Sequence, residues 1–77
     1  MDDVTTRALD RLDAGDWTGA HALIQSETGA RAAWLHAHLH RLEGDRDNAA
    51  YWYRKAGREP FDGSPEAERA ALRDAAA

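Results

Sequence analysis

The residues best placed to do chemistry are two histidines four positions apart, His36 and His40, followed by Glu43. Residues at this spacing share one face of an α-helix, so the two imidazoles can bind one metal ion. Glu43, one turn further on, could supply a third ligand. The segment lacks the glutamate that follows the first histidine in a zinc-protease helix, and the chain has no cysteine. We therefore treat these three residues as weak metal candidates. The simpler interpretation is that the histidines edge a helix interface.

A second polar group surrounds the expected turn at Gly44 and Asp45. In one interpretation, Arg41 binds a carboxylate or a phosphate of a ligand. In the other, the group supplies helix caps and interhelical ion pairs that fix the angle between two helices. We favour the second, because every member has a capping or pairing partner within reach. The group consists of His40, Arg41, Glu43, Asp45 and Asn48.

Three consecutive aromatic residues, Tyr51, Trp52 and Tyr53, follow this turn. They cannot all share one face of a helix, so at least one faces a different environment from the others. Tyr51 falls on a polar side near Arg54, and tyrosine and arginine are enriched where proteins meet. Tyr51 is therefore either a contact residue for a partner or a residue covered by the last helix or the loop at Phe61. Trp52 and Tyr53 are expected in the core.

The elements that position these groups are helices. At about 100° per residue, residues 30–43 carry two apolar stripes on nearly opposite sides. A helix with two such stripes lies between two layers, so we predict that this helix is central and has neighbours on both sides. One stripe contains Ala32, Leu35, Leu39 and Leu42, and the other contains Ala30, Ala33, Trp34 and Ala37. Two narrow polar strips separate them, one with Arg31, His38 and Arg41 and one with His36, His40 and Glu43.

Capping and breaking signals delimit the other helices. A side chain able to accept backbone amide hydrogen bonds precedes each of them, and Pro65 suits the first position of the last helix. Within the second helix, Gly19 is expected to allow a close crossing and His21 to face outward. Glu68 is expected in solvent near the positive end of the last helix. Only Leu72 and a few alanines can dock that helix, so we expect it to be loosely held. The expected caps are Asp2 or Asp3, Asp16, Asp45 and Ser64.

Two parts of the chain repeat each other at a separation of about thirty residues. Both carry Leu-x-Arg-Leu-acidic, then Gly-Asp, then an alanine four residues after the aspartate. Helical solenoids show such a period, and one hairpin cannot bury its own faces. We therefore predict an all-α fold of two stacked helix-turn-helix hairpins plus a short C-terminal helix. This single domain of residues 1–77 would comprise hairpin one at about 3–28, hairpin two at about 30–57, a loop at 58–64 and the C-terminal helix at about 65–75.

The second unit resembles a known class of helical repeat. The pattern A-x-x-x-Y-x-x-A at 49–56, preceded by Gly44 and followed by Pro60, is similar to the second half of a tetratricopeptide repeat. The run NAAYWYRKAG at 48–57 is similar to the end of a Sel1-like repeat. The stretch 38–57 also resembles a group of small bacterial proteins that carry an HRLEGDxxNAxYWYRKAG-type segment. The resemblance implies stacked hairpins and binding of proteins or peptides.

Composition excludes several functions. With 77 residues, the chain is one domain near the size at which a single core only just suffices. Its net charge of −4 is spread along the chain, without the basic patch that nucleic acid or an anionic membrane requires. No stretch is long and apolar enough to span a bilayer. The first ten residues contain acids and no apolar run, so we expect no secretory signal and a cytoplasmic location.

No motif supports catalysis, since the sequence has no serine beside a plausible base, no cysteine and no glycine-rich phosphate loop. We therefore expect a protein that is not an enzyme and needs no cofactor. The leading hypothesis is a small protein-interaction module, an adaptor or scaffold that binds a protein partner or itself. The alternative is a helical protein that binds a metal or a small ligand through His36 and His40. The candidate contact residues are Tyr51, Trp52, Arg54, His36, His40 and Arg41.

Overall fold

The computed structural model describes residues 3–75, which form five α-helices and, within that range, no β-strand. The all-α prediction is confirmed. In the same range, no helix combines the length and the apolar character needed to cross a membrane. The helices are α1 (Val4–Asp13), α2 (Trp17–Ile24), α3 (Ala30–Leu42), α4 (Arg46–Lys55) and α5 (Pro65–Asp74).

The predicted capping side chains begin four of these helices. Each accepts a hydrogen bond from the backbone amide three residues later, at distances from 2.7 to 3.2 Å. A Cβ atom on Gly19 would lie 2.1 Å from the carboxylate oxygen Oδ2 of Asp16. Gly19 therefore leaves room for the cap of its own helix, and the expected role in a helix crossing stays a prediction. The caps are Asp3, Asp16, Asp45 and Ser64; Asp2 lies outside the described residues.

Replacing Asp45 by alanine should lower the free energy of unfolding, because it removes the N-cap of α4. The Asp45 carboxylate accepts hydrogen bonds from both the backbone amide and the side-chain amide of Asn48. Asp47→Ala is the matched control, because Asp47 lies in the first turn of the same helix and is exposed. Urea unfolding at pH 7 measures both variants. Equal losses would show that the capping contact itself contributes no stability.

The two Gly-Asp turns have the same local structure. Gly15 and Gly44 adopt φ angles of 84° and 81°, a region that residues with a Cβ atom rarely occupy. In both turns, the amide of the following aspartate donates to the carbonyl five residues earlier at 2.9 Å. α1 packs mainly against α2, and α3 packs mainly against α4. The repeated sequence therefore produces a repeated helix, turn and helix.

α3 is the central helix, as its two apolar stripes predict. It contacts each of the other four helices, and every residue from 32 to 39 is buried. Leu35 and Leu39 are covered on one side, and Trp34 is covered on the other. Leu42 is 37 % exposed, so its predicted burial is wrong; the continuous buried stretch of α3 ends at residue 39. The polar strips are also less open than expected, since His38 is fully buried.

α5 is firmly attached, which contradicts the expectation of a loosely held helix. Leu72 is fully buried, and its carbonyl accepts a hydrogen bond from Nε of Arg31 at 2.9 Å. Arg73 pairs with Asp13 on α1 at 2.6 Å. Glu68, expected in solvent, is completely buried. Polar contacts fix α5, and its apolar pattern alone could not reveal them.

Candidate functional site

Glu68 is the centre of a buried polar cluster. Its carboxylate accepts hydrogen bonds from Nε1 of Trp34 and from the guanidinium of Arg41, each at 2.9 Å. Nδ1 of His38 and the hydroxyl of Tyr53 each lie 2.5 Å from it. α3 supplies three of these donors and α4 supplies the fourth. This group, hereafter the Glu68 cluster, joins α5 to both helices of the second hairpin.

Hydrogen bonding controls the charge of the Glu68 cluster. Burial alone would raise the pKa of Glu68, but the hydrogen bonds from its four donors outweigh burial and lower that pKa to about 2. Burial and the contact with this carboxylate raise the pKa of Tyr53 above its ordinary value. At neutral pH, Glu68 is therefore ionised and Tyr53 is a neutral phenol. Such shifts are typical of active sites. Here, Glu68 is fully buried and its hydrogen bonds join α5 to α3 and α4, while Arg41 and Tyr53 also line an open cavity of about 350 Å³.

His38 has a defined tautomer in this cluster. Its Nε2 lies 3.2 Å from the guanidinium of Arg69, which can only donate. Nε2 therefore accepts, and Nδ1 carries the proton that is donated to Glu68. Both ring nitrogens of His38 therefore have hydrogen-bond partners within the protein.

Arg41 does bind a carboxylate, but the carboxylate belongs to Glu68. The Arg41 guanidinium also donates to the carbonyl of Gly63. Two of its nitrogens are therefore engaged within the protein, while its side chain remains 29 % exposed, and its candidate role in contacting a partner stays a prediction. Close by, His40 contacts Glu43 at 2.5 Å and Asp45 caps α4. These contacts support the structural interpretation of the polar group around Gly44.

His36 and His40 lie close together, as their spacing predicts, and His21 joins them from α2. The ring centroids of His36 and His40 are 5.0 Å apart, and that of His21 lies 5.0 Å and 5.7 Å from them. One nitrogen of each ring lies within 4.8 Å of the other two. The expectation that His21 faces outward is therefore wrong. These three residues are hereafter the histidine cluster.

Trp17 orients His21 toward α3. The Trp17 indole donates from Nε1 to the carbonyl of Leu39 at 2.9 Å, which fixes the start of α2 against α3. The His21 ring stacks on Trp17 with centroids 5.0 Å apart and planes 7° apart. The spacing of four residues between Trp17 and His21 is the sequence signal that could have placed His21 on this inner face.

His36 is the most enclosed member of the histidine cluster. It is 5 % exposed and stacks on Trp52, with centroids 3.9 Å apart. Within residues 3–75, neither of its ring nitrogens has a hydrogen-bond partner. Burial, followed by the charges of His21 and His40, lowers the pKa of His36 to about 4. The prediction that His36 is an open contact residue is therefore wrong, and its imidazole is neutral at pH 7.

The side of α4 that faces solvent carries aromatic and cationic side chains. Tyr51 is 45 % exposed, and its ring meets the half-buried Trp52 edge-on at 5.2 Å. The Lys55 ammonium lies 5.6 Å and 5.5 Å from the centroids of these two rings. Phe61 packs near Trp34 instead, at 6.4 Å between centroids. Since neither α5 nor this loop covers Tyr51, the alternative that it packs beneath them is wrong. Tyr51, Trp52, Arg54 and Lys55 are hereafter the α4 face.

The α4 face is also unusual in charge. Residues 51–58 contain three cations and no acid, in a chain with a net charge of −4. In the part of the chain that the structure describes, Arg54, Lys55 and Arg58 form no ion pair. Five other arginines pair with carboxylates: Arg11, Arg31, Arg41, Arg69 and Arg73. The segment is therefore a local positive surface on an acidic protein.

A cleft of about 440 Å³ borders the α4 face. Trp52 and Lys55 form one wall, and the turn at residues 25–30 with Ala33 forms the other. The cleft is open to solvent. It could receive one side chain from a molecule that binds beside Tyr51.

No protein-family model, no curated protein and no solved structure matches the chain. The resemblance to tetratricopeptide and Sel1-like repeats therefore stays a prediction. What the chain does must be inferred from the Glu68 cluster, the histidine cluster and the α4 face.

Proposed function

We propose that this chain is a small, non-enzymatic protein-interaction module that binds an acidic segment of a partner protein on the α4 face. The observation that carries the proposal is the exposure of Tyr51 beside unpaired cations. Tyrosine and arginine are enriched at protein interfaces and at the residues that dominate binding energy. An aromatic ring on a packed helix also loses little conformational freedom on binding.

The positive charge of residues 51–58 favours an acidic partner. Where other arginines of the protein neutralise its own acids, Arg54 and Lys55 remain available to an outside carboxylate. Complementary charge of this kind speeds association and suppresses binding to the wrong partner. The cleft next to Trp52 offers space for an apolar side chain of the same segment. The expected ligand therefore combines acidic residues with one apolar anchor.

We further infer that the two hairpins are related to tetratricopeptide or Sel1-like repeats. The matching Gly-Asp turns support this relation, as does the packing of α1 with α2 and of α3 with α4. A second copy of the chain is the competing partner, since the protein is itself acidic. Sedimentation at micromolar concentration distinguishes the two, because self-association raises the mean mass with concentration and binding to another protein does not.

Tyr51→Ala should weaken partner binding by roughly thirtyfold, the effect of losing a dominant contact of about 2 kcal/mol. Arg54→Ala should weaken it less and reduce its salt dependence. Both variants should leave the free energy of unfolding within about 0.5 kcal/mol of wild type, because the two side chains are exposed. Thermal unfolding and a binding titration measure the two effects separately.

The partner can be identified with a photo-crosslinking residue in place of Tyr51, expressed in the native host. We expect a crosslinked peptide rich in aspartate or glutamate, and a lower yield of that crosslink in Arg54→Ala. Arg7→Ala is the matched control, because Arg7 is an exposed cation on α1 and its loss changes the net charge equally. Crosslinking to a neutral or basic peptide, or an equal loss in the control, would contradict the proposal. A crosslink to this same chain would indicate self-association instead.

A further inference from the structure

The histidine cluster has the composition of a metal site, and it meets the α4 face where His36 stacks on Trp52. Three imidazole nitrogens, one from each of His21, His36 and His40, lie within 4.8 Å of one another. Imidazole suits zinc, cobalt, nickel and copper, whereas magnesium and calcium prefer oxygen ligands. We propose that His21, His36 and His40 bind one divalent transition-metal ion, with a fourth coordination position open to water or to a further ligand.

His36 provides a second, independent observation for this site. The residue is 5 % exposed, and no protein group in residues 3–75 occupies the lone pair of its ring. Since no fully buried side-chain nitrogen of the described residues lacks a partner, the His36 nitrogens keep contact with solvent, from which an ion can reach them. A metal ion between His36 and the other two rings satisfies one nitrogen. The stack on Trp52 holds this ring in place, so His36 is the fixed ligand of the three.

Glu43 sets the tautomer of His40. With Nδ1 of His40 2.5 Å from the Glu43 carboxylate, the proton lies on Nδ1 and Nε2 keeps its lone pair. A carboxylate bound to the far nitrogen of a metal-ligating histidine is a recurrent arrangement that orients the ring and raises its basicity. Glu43 is therefore a positioning residue for His40. From its spacing in the sequence, Glu43 was instead a candidate metal ligand.

Metal binding requires the three rings to converge. Zinc–nitrogen bonds of about 2.0–2.1 Å in a tetrahedral site place ligand nitrogens roughly 3.4 Å apart. The present separations, all within 4.8 Å, must shorten by at most about 1.4 Å. His21 and His40 are only half-buried, so rotation about their side-chain bonds can supply this change. Their partial exposure also gives the ion a route of entry from solvent.

A neighbouring group of three residues, His40, Glu43 and Asp45, has ligand atoms at similar distances. Asp45 caps α4 through Asn48, and Glu43 already contacts His40. An ion there would have to displace these hydrogen bonds. It would also lack the nitrogen ligands that favour a transition metal. The geometry therefore favours the histidine cluster, and a variant of Asp45 separates the two sites.

The test is a titration of the metal-free full chain with Co²⁺ alone, followed by visible absorption, and then displacement by Zn²⁺. We expect one ion per chain and the intense absorption of a four-coordinate site. His21→Phe, His36→Phe and His40→Phe should each lower affinity at least tenfold while retaining an aromatic ring. Glu43→Gln should lower it by about tenfold. Asp47→Asn, the charge-matched control, and Asp45→Asn should leave it unchanged.

A measurement on the wild-type protein keeps the test valid if a phenylalanine variant fails to fold. Zn²⁺ should shift the imidazole nitrogen resonances of the histidine cluster and leave those of His38, which is enclosed in the Glu68 cluster, in place. No binding, several weak sites, or unchanged affinity in His21→Phe would overturn the proposal. Weakened binding in Asp45→Asn with full binding in His21→Phe would assign the ion to the neighbouring group instead, which also overturns it.

Discussion

Glu68→Ala should remove about 3–5 kcal/mol from the free energy of unfolding, which is most of the stability of a typical domain of this size. The substitution leaves the Arg41 guanidinium without its internal carboxylate. It also leaves the hydroxyl of Tyr53 and Nε1 of Trp34 without their acceptor, and both of these residues are buried. Removing one partner of a buried charged network is far more costly than removing an exposed pair, because the remaining groups keep their desolvation penalty.

Guanidinium chloride unfolding followed by circular dichroism measures this loss. Glu66→Ala is the matched control, since Glu66 lies in the first turn of the same helix and its side chain is 77 % exposed. We expect the control to change stability by less than about 0.5 kcal/mol. Glu68→Gln should fall between the two, because it keeps the shape but places an amide donor among donors. A loss in Glu68→Ala within about 1 kcal/mol of the control would contradict the role assigned to the buried cluster.

The same cluster explains why the α4 face is free. Tyr53 donates to Glu68, which fixes the rotation of α4 about its axis. Residues two positions apart on a helix point in nearly opposite directions, so Tyr51 is directed to solvent when Tyr53 is directed inward. α5, bound through Glu68, is thereby held on the side of the second hairpin away from Tyr51. The orientation of α4 about its axis therefore determines both the contact of Tyr53 with Glu68 and the exposure of the α4 face.

Helix boundaries could be predicted because their signals are local. An aspartate or a serine at an N-cap, or a glycine with positive φ, acts on residues within one turn of it. The central position of α3 was also predictable, since its two apolar stripes require neighbours on both sides. Leu42 was misplaced because the continuous buried stretch of α3 ends at residue 39, before the stripe itself ends.

The burial of Glu68 could not be predicted from its own surroundings in the sequence. A glutamate in the first turn of a helix is ordinarily stabilised by the helix dipole while it remains in solvent. What buries Glu68 is the convergence of donors 15 to 34 residues away in the chain. The amino-acid pattern of α5 gives no information about those donors. The expectation of a loose C-terminal helix was therefore reasonable and wrong.

The sequence could predict one pair of the histidine cluster, but neither its third member nor the burial of His36. The pairing of His36 with His40 follows from their spacing on one helix. The contribution of His21 depends on how α2 crosses α3, and that crossing is fixed by the hydrogen bond from Trp17 to the Leu39 carbonyl. The depth of His36 depends on Trp52, which comes from α4. Contacts between helices that are distant in the chain decide both features.

Acid should destabilise the metal-free protein in two steps, the first between pH 6.5 and about 4. Burial, and then the charges of His21 and His40, lower the pKa of His36 from 6.5 to about 4. In this window the unfolded chain binds a proton at His36 and the folded protein does not. Stability is therefore complete above pH 6.5, falls as pH decreases through the window, and returns as pH rises. The loss is on the order of 2–3 kcal/mol.

The second step comes from Glu68, whose folded pKa of about 2 lies below the ordinary value of 4.5. Its contribution is complete above pH 4.5 and is lost as pH falls toward 2, because the unfolded chain takes up the proton first. Urea unfolding at pH 7, 5.5, 4.5 and 3.5 follows both steps. His36→Phe should flatten the first step and keep the second, whereas Glu68→Gln should do the reverse. If His36→Phe loses as much stability as wild type between pH 6.5 and 4, another group causes that loss, and the His36 ring is more hydrated than its stack on Trp52 implies.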